Sequence, residues 1–330
     1  MSKKILMALL AALLTLGLLG PASGKELQKV LVSEAVRGFF FVPLYVADGK
    51  GFFKEQGLDM MIVSAQGGPL AMQALIAGQV KFCATGHGQV ANMWTKGKST
   101  KIVNQMQDKC TFYMIGRPGI DDIAQLKGKN VGCTKIGAET FAVGRYLAAK
   151  AGLDPAKGIT MVGVGGMGPM ASALINDRIQ ATMAWQPLVT KLLAEKKARM
   201  LARLNTARDS EKHFGSPDYS FSVLQATDKT IKNDPELVQK FVNAMVSAER
   251  WIAKASLDEL TKVVTPYFQG MNPATIKASL EMDKEAFSKT GLVSEKGHQT
   301  AVKVFTEAKV ITKPVPFQAI VDNSFSRQAQ

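Results

Sequence analysis

Two stretches of the chain repeat the same alternation of short apolar runs and amphipathic segments. In the first, apolar runs fall near 29–34, 59–64 and 80–84, separated by helical patterns near 41–55 and 69–78. In the second, runs near 130–134, 159–164 and 180–184 alternate with helical patterns near 139–151 and 167–177. Short strands alternating with amphipathic helices predict βαβ units on a parallel sheet. The two stretches also align residue by residue. Ala74-Leu-Ile-Ala-Gly-Gln-Val-Lys-Phe-Cys-Ala-Thr85 matches Ala173-Leu-Ile-Asn-Asp-Arg-Ile-Gln-Ala-Thr-Met-Ala184 at an offset of 99, and Gly57-Leu58-Asp59 faces Gly152-Leu153-Asp154.

The fold class is therefore α/β, with two doubly wound lobes and an interdomain cleft. Segments 101–107 and 111–117 read as extended and carry the chain into the second lobe. A return crossing is expected near 200–206 or 219–226. Asn233-Asp234-Pro235-Glu236 starts a helix with proline in its first turn; Leu237, Phe241, Met245, Ala248 and Ile252 share its apolar face. Helices near 257–267, 273–288 and 294–308 follow and are expected to pack on lobe one, with a frayed tail after Ser324. The expected division is 25–109 plus 207–330 for lobe one and 110–206 for lobe two.

Residues 1–24 are expected to be a signal peptide. Lys3 and Lys4 precede an apolar run over 5–19, too short for the roughly 20 residues of a membrane helix, and small residues follow it at Ala22 and Gly24. No cysteine follows that run, so no lipoprotein anchor is expected. These features predict export to a bacterial periplasm, with an uncleaved N-terminal anchor as the alternative.

Composition narrows the classes. The 330 residues carry 41 Lys and Arg against 27 Asp and Glu, a formal charge of +14. The basic residues are dispersed, and no zinc finger or RNA-recognition run accompanies them, so nucleic acid is not an expected partner. Dispersed positive charge still favours anionic ligands or an acidic docking partner. Three cysteines and three histidines show no paired-ligand spacing, so no metal and no cofactor are expected. Cys83, Cys110 and Cys133 read as buried thiols, with a Cys110–Cys133 bridge as the alternative. Gly163-Val-Gly-Gly-Met-Gly168 has the form G-x-G-x-x-G but lacks the acid about 20 residues on that a dinucleotide site needs.

In open α/β sheets, ligands sit beyond the carboxyl ends of the strands. That rule nominates 34–41, 66–69 and 85–88 in lobe one, and 134–140, 165–169 and 185–187 in lobe two. Gly68, Gly86, Ala138 and Gly166 stand where helix N-termini offer backbone N–H groups to an anion. Arg37, Lys135 and Thr140 are candidate anion contacts, Phe40 and Trp185 candidate stacking faces, and His87 and Gln186 candidate polar contacts. Each has a plainer reading: an exposed loop for Arg37, core packing for Phe40 and Trp185, a structural histidine for His87. Glu139 reads as a complement to its helix dipole.

Phe41-Val-Pro-Leu-Tyr-Val-Ala-Asp-Gly-Lys-Gly-Phe-Phe-Lys-Glu-Gln-Gly-Leu-Asp59 resembles a signature of the exported solute-binding proteins of ABC importers for nitrate, sulfonates, taurine and thiamine-type pyrimidines. Gln73-Ala-Leu-Ile-Ala-Gly-Gln-Val80, Leu126-Lys-Gly-Lys-Asn-Val-Gly132 and Ala148-Ala-Lys-Ala-Gly-Leu-Asp154 extend the resemblance across 29–190. It implies a type II periplasmic binding fold, a monomer that closes on a small ligand, and delivery to a permease with its ATPase. It implies no catalysis. Fungal relatives make the thiamine pyrimidine using a cysteine-rich segment that this chain lacks. The expected ligand is a small organic anion, a sulfonate or carboxylate. The alternatives are a neutral heteroaromatic such as a thiamine-type pyrimidine, or a role as ligand-sensing partner of a membrane receptor.

Overall fold

The computed structural model describes residues 26–330; the expected signal peptide lies outside them. Ten strands form two five-stranded sheets. The first comprises β1 (Gln28–Glu34), β2 (Leu58–Ser64), β3 (Phe82–Gly86), β4 (Thr100–Gln105) and β10 (Ser222–Thr227), in the order β2-β1-β3-β10-β4. The second comprises β5 (Tyr113–Gly116), β6 (Asn130–Cys133), β7 (Thr160–Gly163), β8 (Ala181–Ala184) and β9 (Arg199–Arg203), in the order β7-β6-β8-β5-β9.

The internal repeat becomes a repeat of topology. β1 lies parallel between β2 and β3, as β6 lies parallel between β7 and β8. Helices Gly68–Ile76 and Met167–Ile175 occupy equivalent places, and each packs on the sheet of its own lobe. In each lobe one strand is reversed: β10 pairs antiparallel with β3 and β4, and β5 with β8 and β9. These reversed strands belong to the two crossings. The outward crossing turns between β4 and β5, and the return runs from β9 through helix Ala207–Phe214 to β10.

The first expected helix is broken. A 3-10 turn at Phe39–Phe41 leads into helix Val42–Gly49, and Gly51, in the left-handed region at φ 81°, separates it from Phe52–Glu55. The long helix Pro235–Lys254 starts where the sequence places it, with the Asp234 carboxylate accepting from the Leu237 amide at 3.2 Å. It packs on the two pieces of the first helix. The expected helix at 273–288 ends at Asp283 and tightens into a 3-10 turn. The C-terminal helices cover lobe one, and two of them also reach lobe two. Glu295–Glu307 packs on both His87–Thr95 and Glu139–Lys150, and Pro273–Asp283 touches Leu188–Ala194. The tail is not frayed: Ser324–Gln328 is helical, and the Ser326 hydroxyl donates to the Val103 carbonyl at 3.0 Å.

All three cysteines are free and buried. Burial pushes the Cys83 and Cys133 thiols up to about 12, which leaves them protonated and inert.

Candidate functional site

The carboxyl ends of the parallel strands in both lobes converge on a cavity of about 30 Å3. Lobe one supplies Ala35 and Val36 beyond β1, Gly68 at a helix start, and Thr85 and Gly86 at the end of β3. Lobe two supplies Thr134 beyond β6, then Ala138, Glu139 and Thr140 where helix Glu139–Lys150 begins. Phe40, Phe41, Phe112, Phe221 and Ser222 complete the lining. The Phe40 ring meets those of Phe41, Phe112 and Phe221 edge-on, with centroids 4.6, 5.9 and 6.1 Å away. Such edge-to-face contacts suit the ring quadrupoles. Four phenylalanine rings thus form one aromatic side of the cavity.

Its polar groups are neutral hydroxyls and one carboxyl. The Thr134 amide donates to the Thr140 hydroxyl at 3.0 Å, and the two hydroxyls lie 3.0 Å apart. The Thr85 hydroxyl is buried and has no hydrogen-bond partner among the described residues. Glu139 crosses from lobe two to lobe one. Its Oε1 accepts from the Tyr219 hydroxyl at 3.0 Å, and its carboxyl lies against Gly86, where a side chain would collide with it. Burial raises the Glu139 pKa to about 8, more than hydrogen bonds from Tyr219 and the Gln89 and Gly88 amides lower it.

Of the residues nominated from sequence, Phe40, Gly68, Gly86, Ala138 and Thr140 come together at the cavity. The other six lie outside its lining. Arg37 turns back on its own lobe: its Nε pairs with the buried Glu34 carboxylate at 3.0 Å, and its guanidinium sits 4.8 Å over the Tyr45 ring. Lys135 is exposed and lays its stem against Gly67. Gly166 borders a separate outer groove with Arg37 and Gln66. Trp185 is fully buried behind the aromatic side, 5.7 Å from Phe40 between centroids, and its Nε1 donates to the Arg37 carbonyl at 2.9 Å. Gln186 turns to its own helix, its Oε1 accepting from the Thr190 amide and hydroxyl at 3.1 and 2.9 Å.

His87 points away from the cavity into a buried chain. The Val315 carbonyl can only accept, so His298 Nε2, 2.8 Å away, carries a proton. His298 Nδ1 then accepts from His87 Nε2 at 2.9 Å, and His87 Nδ1 accepts from the Ser220 hydroxyl at 2.8 Å. Burial lowers the pKa of both histidines, so the chain is neutral.

Phe112, Phe221 and Ser222 were not among the nominated residues. They belong to the crossings, and the strand-end rule addresses only the parallel strands. The signal available was that both crossings must pass beside the cleft. Among the described residues, no group of three or more His, Cys, Asp or Glu is placed to hold a metal, and no helix is long and apolar enough to cross a membrane.

Two similar α/β lobes, each with one reversed crossing strand and a shared cavity between them, define the two-lobed periplasmic-binding-protein fold. Residues 39–256 match the NMT1/THI5 like family, and the chain belongs to it. It is 24% identical over 310 residues to YtlA of Bacillus subtilis, whose name gives it a provisional binding role; the match covers 92% of this chain and 90% of that one. A solved structure from Bordetella bronchiseptica superimposes with a TM-score of 0.83 at 28% identity, covering 92% and 97% of the two chains. The alkanesulfonate-binding protein SsuA from Xanthomonas axonopodis, solved with MOPS bound, superimposes with a TM-score of 0.74 at 16% identity over 91% and 99%. A yeast 4-amino-5-hydroxymethyl-2-methylpyrimidine phosphate synthase, THI11, is 23% identical over 64% of this chain and 63% of its own.

Proposed function

We propose that this protein is the periplasmic ligand-capturing component of an ABC importer and that it binds a small, planar, uncharged heteroaromatic molecule in the interlobe cavity. It delivers that ligand to a membrane permease without chemically changing it. The observation that carries the ligand class is the lining itself: four phenylalanine rings, threonine hydroxyls and one carboxyl, with no Lys, Arg or His. A flat ring packs against an aromatic side, and a few polar groups fix its orientation. The anion expected from sequence drew on helix N-termini and on the basic candidates Arg37 and Lys135, and neither of those two side chains lines the cavity. Helix starts at Gly68 and Ala138 still reach it, so anions are the comparison class.

The cavity volume of about 30 Å3 has room for one or two waters. An organic ligand is therefore admitted with the lobes apart, and they close on it less far than they stand closed here. The signal peptide expected at residues 1–24 supports export, and the binding role named for YtlA supports binding over turnover.

A thermal-shift screen tests the reading. The panel holds neutral pyrimidines and nicotinamide against alkanesulfonates, nitrate and benzoate. A ligand at 100 times its Kd stabilises by about 2.7 kcal/mol. Shifts with the neutral rings and none with the anions are expected. Shifts confined to the anions overturn the ligand class, and silence across the panel favours a receptor partner over a transporter.

A further inference from the structure

Glu139 and Thr85 form the polar pole of the cavity on either side of Gly86, and their hydrogen bonding is incomplete. Glu139 is almost wholly buried, as is Thr85. The Glu139 Oε1 accepts from the Tyr219 hydroxyl at 3.0 Å, while its Oε2 is buried with no hydrogen-bond partner among the described residues, on the side of the Gly88 and Gln89 amides where helix His87–Thr95 begins. A carboxyl oxygen buried without a partner is least costly when it carries a proton, and that O–H is what it offers a ligand. The Thr85 hydroxyl, unpartnered and lining the cavity, offers a second. The residue sits where a bound anion would sit on that helix, so the protein fills the position with its own acid.

We propose that Glu139 reads the ligand as a neutral acid: its O–H and the Thr85 hydroxyl donate to one acceptor region of the ligand, a ring nitrogen or a carbonyl oxygen, so that capture requires a proton on Glu139. The inference rests on the cavity being the ligand site. It adds that affinity is linked to protons even for a ligand that does not itself titrate. The raised pKa of Glu139, about 8, agrees with a proton held there at neutral pH.

The surroundings keep that proton in place. The crossings present Tyr219 and Cys110, both kept neutral by burial, which raises their pKa values. Helix His87–Thr95 presents amides and the neutral His87, which is committed to Ser220 and His298. Helix Glu295–Glu307 packs nearby, but Lys303 donates to the Phe214 carbonyl and Glu307 pairs with Lys150. None of the ion pairs of the described residues includes Glu139.

Two measurements on the mature protein test this. In the ligand-free arm, infrared difference spectra between wild type and Glu139→Gln are recorded from pH 6 to 9.5. A protonated-carboxyl band that the substitution removes, and that fades in wild type through about pH 8, is expected. Spectra lacking such a difference overturn the proposal. In the binding arm, nicotinamide and benzoate serve as probes, because neither titrates in this range. Wild-type affinity for nicotinamide is expected to be flat below pH 7 and to fall toward tenfold per pH unit above 8. Glu139→Gln is expected to bind with a flat profile, its amide N–H replacing the acid. A flat wild-type profile overturns the proposal. If Glu139→Gln does not fold, Thr85→Val is expected to weaken nicotinamide about tenfold and keep the wild-type pH profile; unchanged affinity overturns the second donor. Failure of nicotinamide to bind counts against the proposed ligand class, benzoate binding in its place overturns it, and the infrared arm still decides the proton.

Discussion

Trp185 belongs to lobe two, yet what covers it comes largely from lobe one and the outward crossing. Its Nε1 donates to the Arg37 carbonyl at 2.9 Å, and its ring packs on Phe40 and Phe112 at 5.7 and 6.2 Å. Separating the lobes breaks the hydrogen bond and wets the ring. One hydrogen bond contributes about 1 kcal/mol net. If lobe one covers about 60 Å2 of indole, burial adds about 1.5 kcal/mol at roughly 25 cal/mol per Å2. On the proposed closing of the lobes, Trp185 then favours the joined form by about 2.5 kcal/mol, or nearly two decades in that equilibrium. Trp185→Phe, which keeps most of the packing and loses the N–H, is expected to weaken ligand binding about fivefold. Trp185→Ala is expected to weaken it by about 50-fold or more. Titration calorimetry reads the affinity, and small-angle scattering reads the larger radius of gyration of the unliganded variants. Wild-type emission reports the same event, because Trp94 and Trp251 are half-buried and only Trp185 is fully enclosed. If Trp185→Phe and Trp185→Ala bind as tightly as wild type at an unchanged radius, Trp185 does not couple the lobes, and the argument fails.

Further outcomes follow from buried contacts. A Cβ at Gly88 would collide with the Phe305 ring, so Gly88→Ala is expected to cost about 1–3 kcal/mol, read as a lower urea midpoint at unchanged slope. Both buried histidines have depressed pKa values, so the unfolded chain binds protons that the folded chain refuses. Stability is therefore expected to fall as pH drops below about 6.5, and His298→Gln should reduce that slope in melts between pH 4.5 and 7. Asp283 shows the opposite sign. Burial raises its pKa to about 7 while the Tyr113 hydroxyl donates to it at 2.5 Å. The folded chain holds this proton more tightly, so its share of stability declines from about pH 4 to pH 7 and is level above. Asp283→Asn should remove that decline, and an unchanged profile would show that Asp283 does not carry it.

Much of the fold was legible because it depends on local pattern. Apolar periods of two and of 3.6 residues marked the strands and helices, and the offset of 99 between Ala74 and Ala173 foretold two sheets of one topology. The strand-end rule nominated Phe40, Gly68, Gly86, Ala138 and Thr140, which line one cavity, because a parallel strand leading into a helix leaves little freedom in where its last residues stand. The rule could not say which way a side chain turns. Arg37 and His87 stand at such ends, yet Arg37 folds back on Glu34 and His87 reaches to Ser220 and His298, partners as much as 211 residues away in sequence.

The sequence by itself determined the two α/β lobes, the crossings between them and the strand ends that border the cavity, since each follows from periodicity and chain connectivity. Only the tertiary structure decided the character of the cavity. It brought Phe112 and Phe221 from opposite crossings to within 4.7 Å of each other, and it drew the basic candidates away from the lining. It also sealed Glu139 against Gly86 in the other lobe. The physical reason is that a side chain's charge state and direction are set by burial and by partners distant in sequence, and neither exists until the two lobes face each other.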